Sequence, residues 1–339
     1  MTTLTITEDH DSKWHASTVT TLKGPIAEIR EHIPRFERRT FGLELKPTKA
    51  RDEGPLFANP SVLAGSNRFY DSIVRVPLPG ETLPPIPVGI VSRQYSLIQH
   101  RDLIDEAIKA LSAVEIDLAR ITATVHLTEY GERMRLGLLL PPEYSIAPSP
   151  DDRMGLRLEC FNSVDGSMKF MAVMGWLRFV CSNGMIVGVA NTDFRRRHNR
   201  SLELADIVEV LRDGIAATTN EGNLYRVWKK RRIPKAKLAS WVNGELAKTW
   251  GVKAATRTWH IVQNGKDVEL AETFEKGKPT EKTVIVGPPV PGAVLPGDNA
   301  YAVSQALSWL AKGRRDIQEQ LEWQRRIPEL MRPLLGKAA

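Results

Sequence analysis

GLRLECFNSVDGSMKFMAVMGWLRFVCSNGMIVGVANTDFRRRHNR, residues Gly155 to Arg200, is the densest run of strand-forming residues in the chain, and it leads straight into an arginine cluster. Leu156 and Leu158 alternate with Arg157 and Glu159, the period of a half-buried strand. Asn162 to Ser167 carries turn chemistry, with Gly166 able to take positive φ, so a hairpin is expected. The return strand, Met168 to Cys181, is apolar except for Lys169 and Arg178 and should be buried on both faces. Ser182, Asn183 and Gly184 signal a second turn.

Outward from this hairpin the pattern stays regular. Upstream, Leu103, Ile104, Ala107, Ile108 and Leu111 share one helical face, with Asp102 as the expected cap. Ile121, Ala123, Val125 and Leu127 then alternate with polar residues, and Met134, Leu136, Leu138 and Leu140 do so on the way back. Downstream, Leu204, Ile207, Val208, Leu211 and Ile215 predict a second helix. The order helix, four strands, helix predicts an α+β fold: an antiparallel sheet of about four strands with flanking helices, plus a basic, mainly helical C-terminal region. Three parts are expected: an irregular N-terminal arm at 1–87, a central α+β domain at 88–220, and a basic region at 221–339. The last of these holds a Pro/Gly connector near 288–297. Asn264-Gly265 reads as a hairpin turn between two strands in 258–287.

Asn162, Ser163, Asp165, Gly166 and Ser167, then Arg178, Phe179, Val180, Cys181, Asn183, Gly184, Gly188, Arg197 and His198, resemble the domain of unknown function 932 family, the phage- and plasmid-like proteins. The resemblance runs from about Val88 to Ile215, with a weaker echo at Asn299 to Leu310. It implies a mobile-element or prophage setting and brings no activity with it.

Composition narrows the function classes. The balance of 42% apolar and 26% charged residues is that of an ordinary globular chain, and no run reaches the roughly 18 apolar residues of a membrane span. No membrane partner is expected. The N-terminus is polar, without a charged-then-apolar leader, and a cytoplasmic location is the expectation. Cys160 and Cys181 form no Cys-x-x-Cys pair, and both read as buried thiols. The formal charge is +7, and the excess sits in residues 221–339, the preceding segments being near neutral. That asymmetry points to a polyanion partner.

No Gly-x-x-x-x-Gly-Lys-Ser/Thr, Gly-x-Ser-x-Gly or His-Glu-x-x-His motif is present, and no cofactor is expected. Asp151, Asp152, Glu159 and Asp165 are carboxylates that a metal-dependent nuclease could use, grouped only by nearness in sequence. His126 reads as a rim residue. Two basic clusters stand out. Arg195, Arg196, Arg197, His198 and Arg200 form the first. Arg226, Trp228, Lys229, Lys230, Arg231, Arg232, Lys235 and Lys237 form the second, within a segment that contains no acid. Guanidinium groups bind phosphates bidentately, and an aromatic ring among cations suits base stacking. Trp228 also falls at helical spacing from Leu224 and reads equally as core. The expected function is a non-enzymatic nucleic-acid-binding protein, with DNA as partner, acting in recombination or replication by single-strand binding or annealing. Phage annealing proteins share this kind of fold and form rings, which makes a homo-oligomer part of the expectation. The alternatives are an interaction protein that counters a host defence system and, behind it, a metal-dependent nuclease.

Overall fold

The computed structural model describes residues 3–9, 18–44, 63–149, 152–178, 186–196, 198, 206–275, 278–314 and 317–336. The expected hairpin is present as β9 (Asp152–Ser163) and β10 (Phe170–Arg178), paired from Met171 with Phe161 to Arg178 with Met154. The two strands lie in an eight-stranded sheet whose order is β1 (Thr5–Asp9), β2 (Val19–Gly24), β6 (Thr122–Thr128), β7 (Arg133–Leu139), β9, β10, β11 (Ile186–Arg196). A short β8 (Ile146–Ser149) pairs with β9 off this path. Every pairing is antiparallel. The α+β class is as the sequence predicts. The strand number exceeds the expected four, because β1 and β2 extend the sheet beyond β6 and β11 extends it beyond β10.

Period-two alternation sorts the sheet into two faces. On one face Val125, Leu136, Leu138, Leu158, Cys160, Met174 and Trp176 join the largest buried cluster. Helices α1 (Ile26–Glu31), α2 (His100–Ala113) and α3 (Asp206–Lys230) supply Ile29, Leu103, Ile104, Ala107, Leu111, Ile207 and Leu211 to the same cluster. Removing a side chain of this size from water contributes about 1.5–3 kcal/mol, so the helices are held mainly by their apolar faces. The opposite face is closed by a smaller cluster of Phe161, Met168, Met171 and Val173 with Leu321 of α8 (Ile317–Leu335). Asp102 lies in the first turn of α2, whose N-cap is Gln99.

Residues expected in an irregular arm contribute regular structure. Besides β1 and β2, a three-stranded sheet forms from β3 (Arg35–Glu44), β4 (Leu63–Val76) and β5 (Ile86–Ser92). Phe36, Ile73 and Val91 from this sheet pack on Val164 of the β9–β10 turn, and the Gln99 side chain bonds both the N–H (3.0 Å) and the carbonyl (2.8 Å) of Phe36.

The expected boundary at 220 falls inside α3. Beyond it come α4 (Lys235–Trp241), a π-helical segment (Val242–Leu246), α5 (Ala247–Trp250) and α6 (Val252–Asn264). A two-stranded sheet, β12 (Lys266–Glu275) with β13 (Lys278–Pro289), and α7 (Ala300–Lys312) precede α8. Trp228, Trp241, Ile261, Tyr301 and Met331 belong to the same buried cluster as the main sheet. Asn264-Gly265 is a helix end rather than a hairpin turn. Gly265 takes φ 71 and its N–H bonds the Ile261 carbonyl at 2.9 Å, the left-handed cap that only glycine adopts without cost. The hairpin it was expected to turn reverses instead between Glu275 and Lys278. Among the described residues no helix is long and apolar enough to cross a membrane.

Candidate nucleic-acid interface

The β9–β10 turn is a dense hydrogen-bonded knot. Gly166 takes φ 80, and Asp165 Oδ1 accepts from the Ser167 N–H (3.0 Å) and hydroxyl (2.6 Å). Ser163 Oγ accepts from the Met168 N–H at 3.0 Å, and Arg133 Nε donates to Ser167 Oγ at 2.6 Å. Asn162 is fully buried and donates to the Ile98 carbonyl at 3.0 Å, with the same nitrogen 2.9 Å from His100 Nδ1. Since His100 Nε2 donates to the Gly131 carbonyl at 2.8 Å, Nδ1 is the acceptor in that pair.

His198 docks into this knot. Its ring stacks on Tyr95 with 4.9 Å between centroids and 17° between planes. His198 Nδ1 lies 3.2 Å from the Ser96 carbonyl, the Ser96 N–H bonds the His198 carbonyl at 3.1 Å, and the Tyr95 hydroxyl donates to the Ser163 carbonyl at 2.7 Å. Instead of sitting in a solvated loop, His198 is buried at 7% exposure. Its pKa is lowered to about 4 by burial, against the Ser96 bond and Asp165, and burial takes His100 to about 4 as well. Arg195 and Arg196 end β11, in register with Met171 and Phe170, two residues before the buried His198. The Arg195 and Arg196 side chains, and all of Arg197 and Arg200, lie outside the described residues, as do Cys181, Asn183 and Gly184.

The second cluster divides by helix geometry. Arg226 and Lys230 are exposed on the last turns of α3, and Lys235 and Lys237 are exposed at the start of α4. Among the described residues none of these four has a carboxylate within 4.0 Å, and Arg226 Nη1 donates to Asn223 Oδ1 at 3.0 Å. Arg231 Nη2 donates to the Leu335 carbonyl at 2.8 Å, Arg232 pairs with Asp298, and Lys229 Nζ lies 5.9 Å from the Tyr301 ring centroid. Trp228 is core: 5% exposed, with its ring edge-on to Tyr225 at 5.9 Å.

A third group of charges sits on the second face of the main sheet. Glu159 is fully buried between Arg135, whose Nε and Nη2 reach its oxygens at 2.6 and 3.1 Å, and Arg157, whose Nε is 2.7 Å away without hydrogen-bond alignment. Burial opposes ionisation of Glu159, but the two guanidinium groups outweigh it and hold the carboxyl below its usual range. Gly137 makes room, since a Cβ there would lie 1.8 Å from Arg157 Nη2. Nearby, His126 Nδ1 pairs with Thr21 Oγ1 at 2.9 Å, and burial lowers its pKa to about 4. His126 is the residue expected at a rim, and Glu159 is one of the carboxylates that a metal-dependent nuclease could use. The structure gives Glu159 to two arginines, and among the described residues no group of three His, Cys, Asp or Glu side chains could hold a metal ion.

Neither the curated proteins nor the solved structures contain a match to this chain. A family model described as Domain of unknown function (DUF932) matches residues 87–306, which spans the β9–β10 knot, the His198 anchor and the cationic end of α3. With well over half its length inside that match, the chain belongs to the domain of unknown function 932 family.

Proposed function

We propose that the protein is a non-enzymatic nucleic-acid-binding protein of a phage or plasmid. Its partner is DNA, and it holds single strands during recombination or replication. The carrying observation is the exposed set Arg226, Lys230, Lys235 and Lys237, which faces solvent where α3 gives way to α4 without a neighbouring carboxylate among the described residues. Cations so placed attract a polyanion by releasing its counterions, and most of the binding free energy then comes from phosphates rather than bases. The Arg195 to Arg200 run supplies further positive charge to the same chain.

One observation favours a second reading, an interaction protein that meets an acidic surface through the same cations. Trp228, the aromatic residue expected to stack on bases between the lysines, is in the core. The two readings separate on immobilised single-stranded DNA at about 0.15 M salt. Retention with elution as salt rises supports the DNA reading, and passage without retention supports the protein partner. Running duplex DNA and RNA in parallel identifies the preferred strand.

A further inference from the structure

Beside the cationic end of α3, the α4 to α5 segment and α6 run next to each other and leave a groove of about 250 Å³. Val242, Asn243 and Ala247 line one wall, and Val252, Thr256 and Trp259 line the other. Among the described residues no acidic side chain lines it. Lys235 Nζ lies 5.9 Å from the centroid of the Trp259 ring, and Lys237, Lys248 and Lys253 are exposed on the same three helices.

We infer that this groove takes one base of a single-stranded nucleic acid, stacked against Trp259, with Lys235 on the adjoining phosphate and Asn243 bonding the base edge. The inference rests on the nucleic-acid reading and names the contact that reading lacked once Trp228 proved to be core. Size fixes the kind of occupant. Sites that enclose a drug-sized ligand measure about 300–1,000 Å³, so a groove of 250 Å³ suits one flat ring rather than a whole nucleotide. Apart from Asn243 and Thr256 the lining is apolar, as a base face requires. Trp259 packs on one side against the main buried cluster while remaining only half-buried, which holds the ring in place before any ligand arrives. Base stacking on an aromatic side chain is sequence-tolerant, and a flanking ammonium group supplies the phosphate contact.

Two local features fit an incoming ligand better than they fit packing. The wall that carries Asn243 is a π-helical turn, a costly geometry that recurs at functional sites. Gly244 follows Asn243, and a Cβ built there would meet nothing within 4 Å, so no neighbour in the fold requires glycine. A helix-interior glycine costs about 1 kcal/mol relative to alanine, a cost that no packing contact explains here. Asn243 is exposed and offers both a donor and an acceptor, the pairing that reads a base edge. Thr256, which also lines the groove, has its Oγ1 donating to the Val252 carbonyl at 3.0 Å, which leaves the oxygen's lone pairs able to accept.

The test is binding of a 12-residue oligothymidylate to the full chain at several salt concentrations. Trp259→Ala should weaken binding about 5- to 100-fold with the salt slope unchanged, and Trp259→Phe should restore most of it. Lys235→Ala should make the slope shallower by about 0.7. Val252 is 63% exposed, so Val252→Glu should fold normally while placing a negative charge at the groove, and it should weaken binding at least tenfold. Wild-type binding with Val252→Glu and Trp259→Ala unaffected would overturn the groove assignment alone. A wild-type chain that binds no oligonucleotide would overturn the functional reading and the groove with it. Weakened binding in Trp259→Ala that phenylalanine fails to restore, with Val252→Glu unaffected, would mean that Trp259 is structural.

Discussion

The ring of His198 stacks on that of Tyr95, 4.9 Å between centroids, and together with the two Ser96 bonds this contact fastens His198 beside the turn that carries Ser163 and Asp165. The Tyr95 hydroxyl completes the link through the Ser163 carbonyl. His198 and Ser163, far apart in sequence, therefore meet at Tyr95, and the contacts they make there hold backbone.

Tyr95→Phe should cost about 1 kcal/mol, the ordinary net value of one hydrogen bond. Tyr95→Ala also removes the stacked ring and should cost about 3 kcal/mol or more. Urea unfolding measures both, and equal losses for the two variants would mean that the ring contributes nothing.

Stability should fall between pH 7 and pH 5. Burial lowers the pKa of His100 and of His198 to about 4 in the folded chain, against an ordinary 6.5. As pH drops through 6.5 the unfolded chain takes up these protons and the folded chain does not, so folding is fully favoured above 6.5 and loses ground down to about 4. The loss at pH 5 relative to pH 7 should be about 2 kcal/mol for each ring. Unfolding free energies equal at the two pH values would show both rings to be open to solvent.

Glu159→Gln should be strongly destabilising, by about 3–5 kcal/mol, because it leaves Arg135 and Arg157 facing each other with no buried counter-charge. Gly137→Ala should cost about 1–3 kcal/mol, since the new Cβ would lie 1.8 Å from Arg157 Nη2 and force the guanidinium off Glu159. Chemical denaturation reads both, and a neutral Glu159→Gln variant would mean that the triad is solvated.

Val173→Asp should abolish soluble expression. Val173 is 5% exposed between Phe161, Met171 and Leu321, where an unpaired carboxylate costs several kcal/mol. Recovery of a soluble variant with an unchanged melting temperature would place this face of β10 in water.

Much of the fold was legible because the signals were local. Turn residues at Asn162 to Ser167 and the alternations at Ile121 to Leu127 and Met134 to Leu140 each describe a strand and its reversal without reference to the rest of the chain. Asn264-Gly265 misled because the same pair that turns a hairpin also caps a helix, and only the apolar spacing of Ala254, Ala255, Thr258, Ile261 and Val262 distinguishes the two. The charged triad was invisible because Arg135 meets Glu159 across 24 residues, through strand register that no local pattern encodes. The candidate interface was legible as charge but not as geometry. Trp228 adjoins Lys229 in the chain while Trp259 meets Lys235 only in space, and helix packing alone turns the first into core and leaves the second beside a groove.

The most direct test of the account is the slope of log affinity against log salt for a single-stranded 20-residue oligonucleotide. The wild-type chain should show a clear negative slope, at about 0.7 for each phosphate neutralised. Replacing Arg226, Lys230, Lys235 and Lys237 by Ala should make it shallower by up to about 3, and replacing Arg195, Arg196 and Arg197 should do so by up to about 2. A wild-type affinity that ignores salt, or variants whose slopes match the wild type, would contradict nucleic-acid binding through these surfaces.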